Sequence, residues 1–318
     1  MTKFYFQKLF SVIFSIAFFF SFALAQPERK QDNRVRTVTI PISILSKTEL
    51  REKQQQEFLE AGDLIVKEDG EQQTILSIRD VSEAPLALAI LIQDDLSSSF
   101  NLELRRIGDF IRRLPRGSRV MIAYLRGGSI QVRQKFTEDL EKASQSLRVV
   151  ISSTTGLAGN PYAGVSDTLR RFEALPLGRR AILLISDGLD ITSGGESASP
   201  LQSVDLEQAI LRAQRRSVAV YSFYSSASIT QNASSNLILN AQGALQRLSD
   251  ETGGRAFFQG SYSPVSFDPF FRDLTIALNR QFALTYLSTH MKKGYHRIQV
   301  TSTNPQIKIE HPSGYYYR

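Results

Sequence analysis

The sequence predicts an α/β protein: a doubly wound, mainly parallel sheet inserted in a discontinuous antiparallel β-sandwich. Three observations predict it. Between residues 85 and 280, apolar runs such as "LALAILIQ", "RAILLIS" and "VAVYSFY" alternate with stretches of helical period. Such runs mark strands covered by helices on both faces. Both flanks of that span are β-rich, with about three strands before it and four after it. Neither flank buries a core alone, but together they match a sandwich of ordinary size, and domain termini commonly lie close together.

Taken in order, residues 1–25 read as a secretory signal peptide. Lys3 and Lys8 precede the uncharged run "LFSVIFSIAFFFSFALA", which ends in the small-x-small pattern Ala23-Leu24-Ala25. That run has 17 residues, the short limit for a membrane span, so cleavage after Ala25 is favoured over a retained anchor. The expected location is therefore secreted or periplasmic. Cleavage removes two lysines and lowers the net charge from +7 to +5. Residues 26–34 are polar and suit an unstructured start.

The N-terminal sandwich strands occupy 26–84. "VRTVTIPISIL" alternates, and "DLIVKEDGEQQTILSIRD" reads as a hairpin around Asp69-Gly70. The α/β unit occupies 85–280. After "LALAILIQ", the residues Phe100, Leu104, Ile107, Ile111 and Leu114 recur at helical spacing. "RVMIAYL" is a strand, and Gly127-Gly128 turns it into "SIQVRQKF". A helix is expected from Thr137, with Glu138 and Asp139 in its first turn. "TLRRFEAL", "DLEQAILRAQRR", "ALQRLSDETGG" and "FRDLTIALNRQF" supply further helices. Residues 281–318 return to β in "QFALTYLS", "GYHRIQVTS", "QIKIEH" and "SGYYYR".

Composition excludes several functions. The 318 residues are 42% hydrophobic and 22% charged, as in folded soluble proteins. There is no cysteine, which rules out disulfides, thiolate zinc sites and cysteine nucleophiles. The basic clusters "RRIGDFIRR", "LRRFEALPLGRR" and "RAQRR" fall within helical patterns, so solvated helix faces explain them better than a nucleic-acid groove. His290, His296 and His311 all lie in the C-terminal β segment and read as solvated strand residues. Asn232-Ala233-Ser234 matches a glycosylation acceptor.

Chemistry concentrates at two strand ends. "LAILIQDDLSSS" delivers Asp95, Ser97 and Ser99 at alternate positions, and "AILLISDGLD" delivers Asp187 before Gly188. Ligands of open parallel sheets bind beyond the carboxyl ends of the strands. Gly188 lets the backbone turn sharply. Two carboxylates so placed repel unless a cation lies between them. Hard oxygen donors suit Mg²⁺, Mn²⁺ or Ca²⁺ rather than zinc or copper. Ser99 is also positioned to cap the helix carrying Phe100.

Asp95-x-Ser97-x-Ser99 with Asp187-Gly188 resembles the metal-ion-dependent adhesion site of von Willebrand factor A-type domains. "DLIVKEDGEQQTILSI", "LQRLSDETGGRAFF", "LNRQFALTYLS" and "GYYYR" resemble the flanks of a secreted VWFA-related family common in Acidobacteria. The resemblance implies a cation with an open coordination position, which an acidic side chain of a partner protein fills. It also implies a threonine ligand before the next helix. Here that region reads "SSTTGLAGNPYAGVSDTL", where Asn160 stands roughly in that place, Thr154 and Thr155 lie upstream and Asp167 downstream. The expected metal set is thus Asp95, Ser97, Ser99, Asn160 and Asp187, with Thr154 or Thr155 as alternatives to Asn160.

The expectation is a binding module rather than an enzyme. A metal-assisted phosphatase with Asp95 as nucleophile usually needs a general acid two residues on, and Ser97 stands there. A scaffold with a decayed metal site is the other alternative.

Overall fold

The computed structural model describes residues 35–46, 63–81, 84–151, 160–176, 178–190, 199–227, 234–260 and 264–317. The expected signal peptide, the polar stretch 26–34, Thr154, Thr155, Asn232 and Ala233 lie outside these residues. Among the described residues, no helix is long and apolar enough to cross a membrane.

Strand β1 (Arg36–Ser46) is followed by the hairpin of β2 (Leu64–Glu68) and β3 (Glu71–Asp80). Asp69 and Gly70 make its turn, both with positive φ. Six strands then follow: β4 (Leu86–Gln93), β5 (Arg119–Arg126), β6 (Ser129–Thr137), β7 (Arg179–Ser186), β8 (Ala219–Tyr224) and β9 (Ala256–Phe257). They form one sheet in the order β6-β5-β4-β7-β8-β9. Every pairing in it is parallel except β5 with β6.

Helices cover both faces, as the unbroken apolar strands require. Leu88, Ile90 and Ile92 pack under α1 (Leu104–Arg112), α2 (Leu140–Gln145) and a later helix described below. Ala89 and Leu91 point the other way, towards α3 (Pro161–Arg171), α4 (Val204–Arg215) and α5 (Ser235–Thr252). The last helix, α6 (Asp268–Asn279), returns to the first face. There Phe223 meets Phe267, Phe270 and Phe271 at centroid distances of 5.1 to 5.4 Å, the tilted or edge-on range in which aromatic pairs attract.

Thr137 does not start a helix. It ends β6, its hydroxyl accepts from the Asp139 N–H, and Asp139 caps α2 by accepting from Lys142 N–H at 2.9 Å. A β-branched residue fits the strand edge and leaves the cap to a carboxylate. Helix α5 stops at Gly253, which has φ +83.

Strands β10 (Gln281–Ser288), β11 (Gly294–Ser302), β12 (Ile307–Glu310) and β13 (Gly314–Tyr317) complete the chain. They interleave with β1, β2 and β3 in the order β12-β1-β10-β3-β2-β11-β13. The seven strands, three from one flank and four from the other, therefore make a single antiparallel sheet. Strand β3 is its corner: residues 71–73 pair with β2 and residues 74–80 with β10. The sheet curls until β11 touches β12, enclosing Ile40, Ile42, Val66, Leu284, Tyr286, Ile298 and Val300. The expected sandwich is thus one curled sheet rather than two separate ones.

Arg179 fastens the two sheets together. Its Nε donates to Gln281 Oε1 at 2.8 Å, Nη1 to the Ala84 carbonyl at 2.8 Å and Nη2 to the Leu278 carbonyl at 2.6 Å. Those three residues lie where the chain enters and leaves the α/β unit, so one planar fork holds both crossings.

Candidate metal centre

Strand β5 lies on one side of β4 and β7 on the other, so the strand order reverses between β4 and β7. Segments leaving the two carboxyl ends diverge there, the place where open α/β sheets bind ligands. Asp95 follows β4 and Asp187 follows β7.

Gln93, the last residue of β4, ties these ends together. Its Nε2 donates to Asp95 Oδ1 at 2.9 Å. Its Oε1 accepts from Ser186 Oγ at 2.6 Å and from the Asp187 N–H at 3.0 Å. Asp95 is 6% exposed and Asp187 0%. Asp187 Oδ1 accepts from the Leu189 N–H at 3.1 Å, while Oδ2 has no hydrogen-bond partner among the described residues. Burial pushes the Asp187 carboxyl up to about 7, and the charge of Asp95 adds to the rise against the Leu189 and Gln93 hydrogen bonds. Burial also holds the Tyr162 hydroxyl well above its usual range, with Asp187 and Asp190 contributing. A buried carboxylate beside a second one is costly unless a cation compensates it.

The two aspartates of "QDD" have different partners. Asp94 is clamped by Arg148, whose Nη1 and Nη2 reach Oδ1 and Oδ2 at 2.6 and 2.9 Å. Arg148 in turn lies over the Tyr124 ring at 4.1 Å. Asp94 is therefore a structural ion pair.

The serine loop is held by backbone contacts. Ser97 N–H donates to the Ser226 carbonyl at 3.1 Å, and Leu96 bridges to Ala227. Ser97 flanks the 3₁₀ turn Ser98–Glu103 without a side-chain capping bond, and Ser99 lies inside that turn. The expected cap by Ser99 is not formed. Instead the two hydroxyls meet each other at 2.8 Å, and Ser97 is buried while Ser99 is exposed. Neither is used to end a helix, so both remain suitable oxygen donors.

Asn160 caps α3: its Oδ1 accepts from the N–H groups of Tyr162 and Ala163 at 2.9 and 3.0 Å. Its Nδ2 donates to Asp205. Asp167, downstream of it, pairs with Arg170. Gly188 adopts φ +75, and a side chain there would meet the Ala241 carbonyl oxygen at 2.6 Å. Helix α5 thus packs against bare backbone.

Sequence reasoning passed over Gln93, although a lone amide ending an apolar strand was a signal. It also passed over Ser203, which donates to Asp190 Oδ2 at 3.0 Å.

A second group of potential ligands lies in the curled sheet: Glu68, Asp69 and His296 each place one donor atom within 4.8 Å of the others'. The histidines are not solvated strand residues. His296 is 3% exposed, and His290 and His311 are partly buried. Residue alternation along β11 turns His296 to the covered face between exposed Tyr295 and Arg297. At Asp69, desolvation raises the carboxyl. The His296 hydrogen bond, the Arg297 N–H and the charges of His296 and His290 outweigh it and leave the group below its ordinary value.

No family model matches the sequence, and no curated protein matches it. Among solved structures, the chain is similar to an aerotolerance-related membrane protein from Bacteroides fragilis, at 15% identity over 61% of this chain and 98% of that one, with a TM-score of 0.43. It is similar to BatB from Bacteroides thetaiotaomicron at 13% identity, over 60% of this chain and 95% of that one, with a TM-score of 0.42. It is also similar to the SpRpn10 VWA domain at 13% identity, over 50% of this chain and 82% of that one, with a TM-score of 0.33.

Proposed function

We propose that the chain is a protein-binding module of the von Willebrand factor A type. In this reading Asp95, Ser97, Ser99 and Asp187 hold a divalent cation, Mg²⁺ (or Mn²⁺ or Ca²⁺), and an acidic side chain of a partner protein completes its coordination. One observation carries it: Asp187 is fully buried beside Asp95, with an oxygen that no described group satisfies. A hard divalent ion fits that donor set and relieves the repulsion. The ion serves as an electrophile for recognition; a hydrolytic role lacks a second carboxylate at position 97. With residues 1–25 read as a signal, the module acts outside the cytosol.

A scaffold with a weakened site is the second reading, and Asn160 favours it, because its carbonyl oxygen already accepts two N–H groups. Calorimetric titration of the protein with Mg²⁺ and Mn²⁺, beside Asp95→Ala, separates the two. Saturable binding that the variant loses supports the module; no binding in either protein refutes it in favour of the scaffold.

A further inference from the structure

We propose a second metal site, of the zinc class, in the curled sheet, with Glu68, Asp69 and His296 as ligands and His290 as the fourth. It stands apart from the oxygen site and does not depend on it.

The case rests on the donors of His296. Its Nε2 lies 2.6 Å from the Lys292 carbonyl, which can only accept, so Nε2 carries the proton. Nδ1 faces Asp69 Oδ2 at 2.8 Å and Glu68 Oε1 at 3.3 Å, a position filled by a second ring proton in the metal-free protein and by an ion in the loaded one. Two carboxylates around one imidazole nitrogen need something positive between them. Ligands of one ion at about 2.1 Å stand roughly 3.0 to 3.4 Å apart for angles from 90° to tetrahedral; the Glu68 separation falls in that range, and the Asp69 separation needs to open by about 0.2 Å. A ligating histidine typically donates its other N–H to a carbonyl, as His296 does.

The surroundings point the same way. Glu68 is 0% exposed, and its Oε2 has no hydrogen-bond partner among the described residues. Its Oε1 is occupied by the Tyr315 hydroxyl at 2.5 Å and approached by Arg36 at 3.4 Å. Oε1, the oxygen turned towards His296, would be the ligand atom, and the unsatisfied Oε2 leaves the buried carboxylate short of compensating charge. His290 Nδ1 is buried with no hydrogen-bond partner among the described residues and lies 3.9 Å from Glu68 Oε1. Glu71 approaches His290 at 3.7 Å. Imidazole with carboxylate favours Zn²⁺ over Mg²⁺, the reverse of the preference at Asp95 and Asp187.

Such an ion would join the β2–β3 turn to β11 and to the segment before it, across 227 residues between Asp69 and His296. The chain has no cysteine, so a metal clip would perform the cross-linking that disulfides give other exported proteins.

The test is calorimetric titration of tag-free, EDTA-stripped full-length protein with Zn²⁺, followed by thermal unfolding with and without the ion. We expect saturable Zn²⁺ binding that raises the melting temperature by several degrees. Asp69→Asn keeps the turn, because Asn tolerates positive φ, and should weaken Zn²⁺ at least tenfold. His296→Gln should abolish it, and Asp95→Ala should leave it intact. If the wild type binds no Zn²⁺, or binds it equally in Asp69→Asn, a proton rather than a metal holds the cluster and the proposal fails. If Asp95→Ala alone removes the binding, Zn²⁺ was occupying the other site, which also overturns it.

Discussion

Replacing Asp187 by Asn tests the electrostatics of the candidate centre most directly. In the metal-free protein the Asp187 carboxyl titrates near 7 instead of 3.8. Between those values the folded chain keeps a proton that the unfolded chain has released. Stability therefore falls as pH rises through this window, by about 1.4 kcal/mol per pH unit, and levels off above about 7. The accumulated loss is about 4 kcal/mol. Asparagine has no charge to bury, so Asp187→Asn should match the wild type near pH 4 and exceed it by up to about 4 kcal/mol at pH 8. Mg²⁺ narrows that gap. It requires the ionised form and stabilises only the wild type, by about 2.7 kcal/mol at a hundredfold excess over Kd. Its affinity should fall about tenfold per pH unit below 7. Urea unfolding at pH 4, 6 and 8, in EDTA and in Mg²⁺, reads all of these quantities. A wild type whose metal-free stability is flat across this range, or an Asn variant less stable than wild type at pH 8 in EDTA, would refute the reasoning.

Three further substitutions probe the frame around that carboxylate. Gly188→Ala combines φ +75 with a Cβ 2.6 Å from the Ala241 carbonyl oxygen and 2.8 Å from Leu245 Cγ; thermal unfolding should show a loss of about 3 kcal/mol. Gln93→Leu strips the acceptor from Ser186 Oγ and the Asp187 N–H. It should cost roughly 2 to 4 kcal/mol in urea and weaken Mg²⁺ in calorimetry, since Asp95 loses an orienting donor. Arg148→Met leaves the nearly buried Asp94 without its guanidinium. About 3 kcal/mol of stability should be lost while Mg²⁺ affinity stays unchanged, because Asp94 belongs to the frame and not to the ligand set.

The sequence made the alternation of strands and helices legible because burial on both faces demands unbroken apolar runs, and β4, β7 and β8 carry them. It made Asp95 and Asp187 legible because they stand where such runs stop. It could not show that one β3 strand serves two neighbours, since pairing register depends on the partner and not on β3 itself. Nor could it separate Asp94 from Asp95: adjacent residues differ only in direction, and Arg148, 54 positions away, decides which is neutralised. The histidines were misjudged for a related reason. In β11, His296 occupies an inward position of the alternation, but the carboxylate facing its Nδ1 comes from a hairpin 227 residues earlier. Long-range partners of polar groups leave no periodic trace, whereas apolar burial does.

The two ends of the α/β sheet have separate tasks, and the parallel direction of its strands keeps them apart. Ala84 and Arg179 stand at the amino ends of β4 and β7, where the Arg179 fork fastens the seven-stranded sheet. Asp95 and Asp187 stand at the carboxyl ends. Each of these strands has eight residues, so the fastening and the candidate cation lie about 26 Å apart. At the carboxyl rim, the first residues after β4, β7 and β8 are braced by the Ser97–Ser226 and Ser225–Ser186 backbone bonds. That arrangement holds the two candidate ligands Asp95 and Asp187 at strand ends rather than far out on loops, which is what the proposed cation needs if it is to present one open position in a fixed direction. It also follows that perturbing the junction should change stability without changing the cation, and perturbing Gln93 should change both.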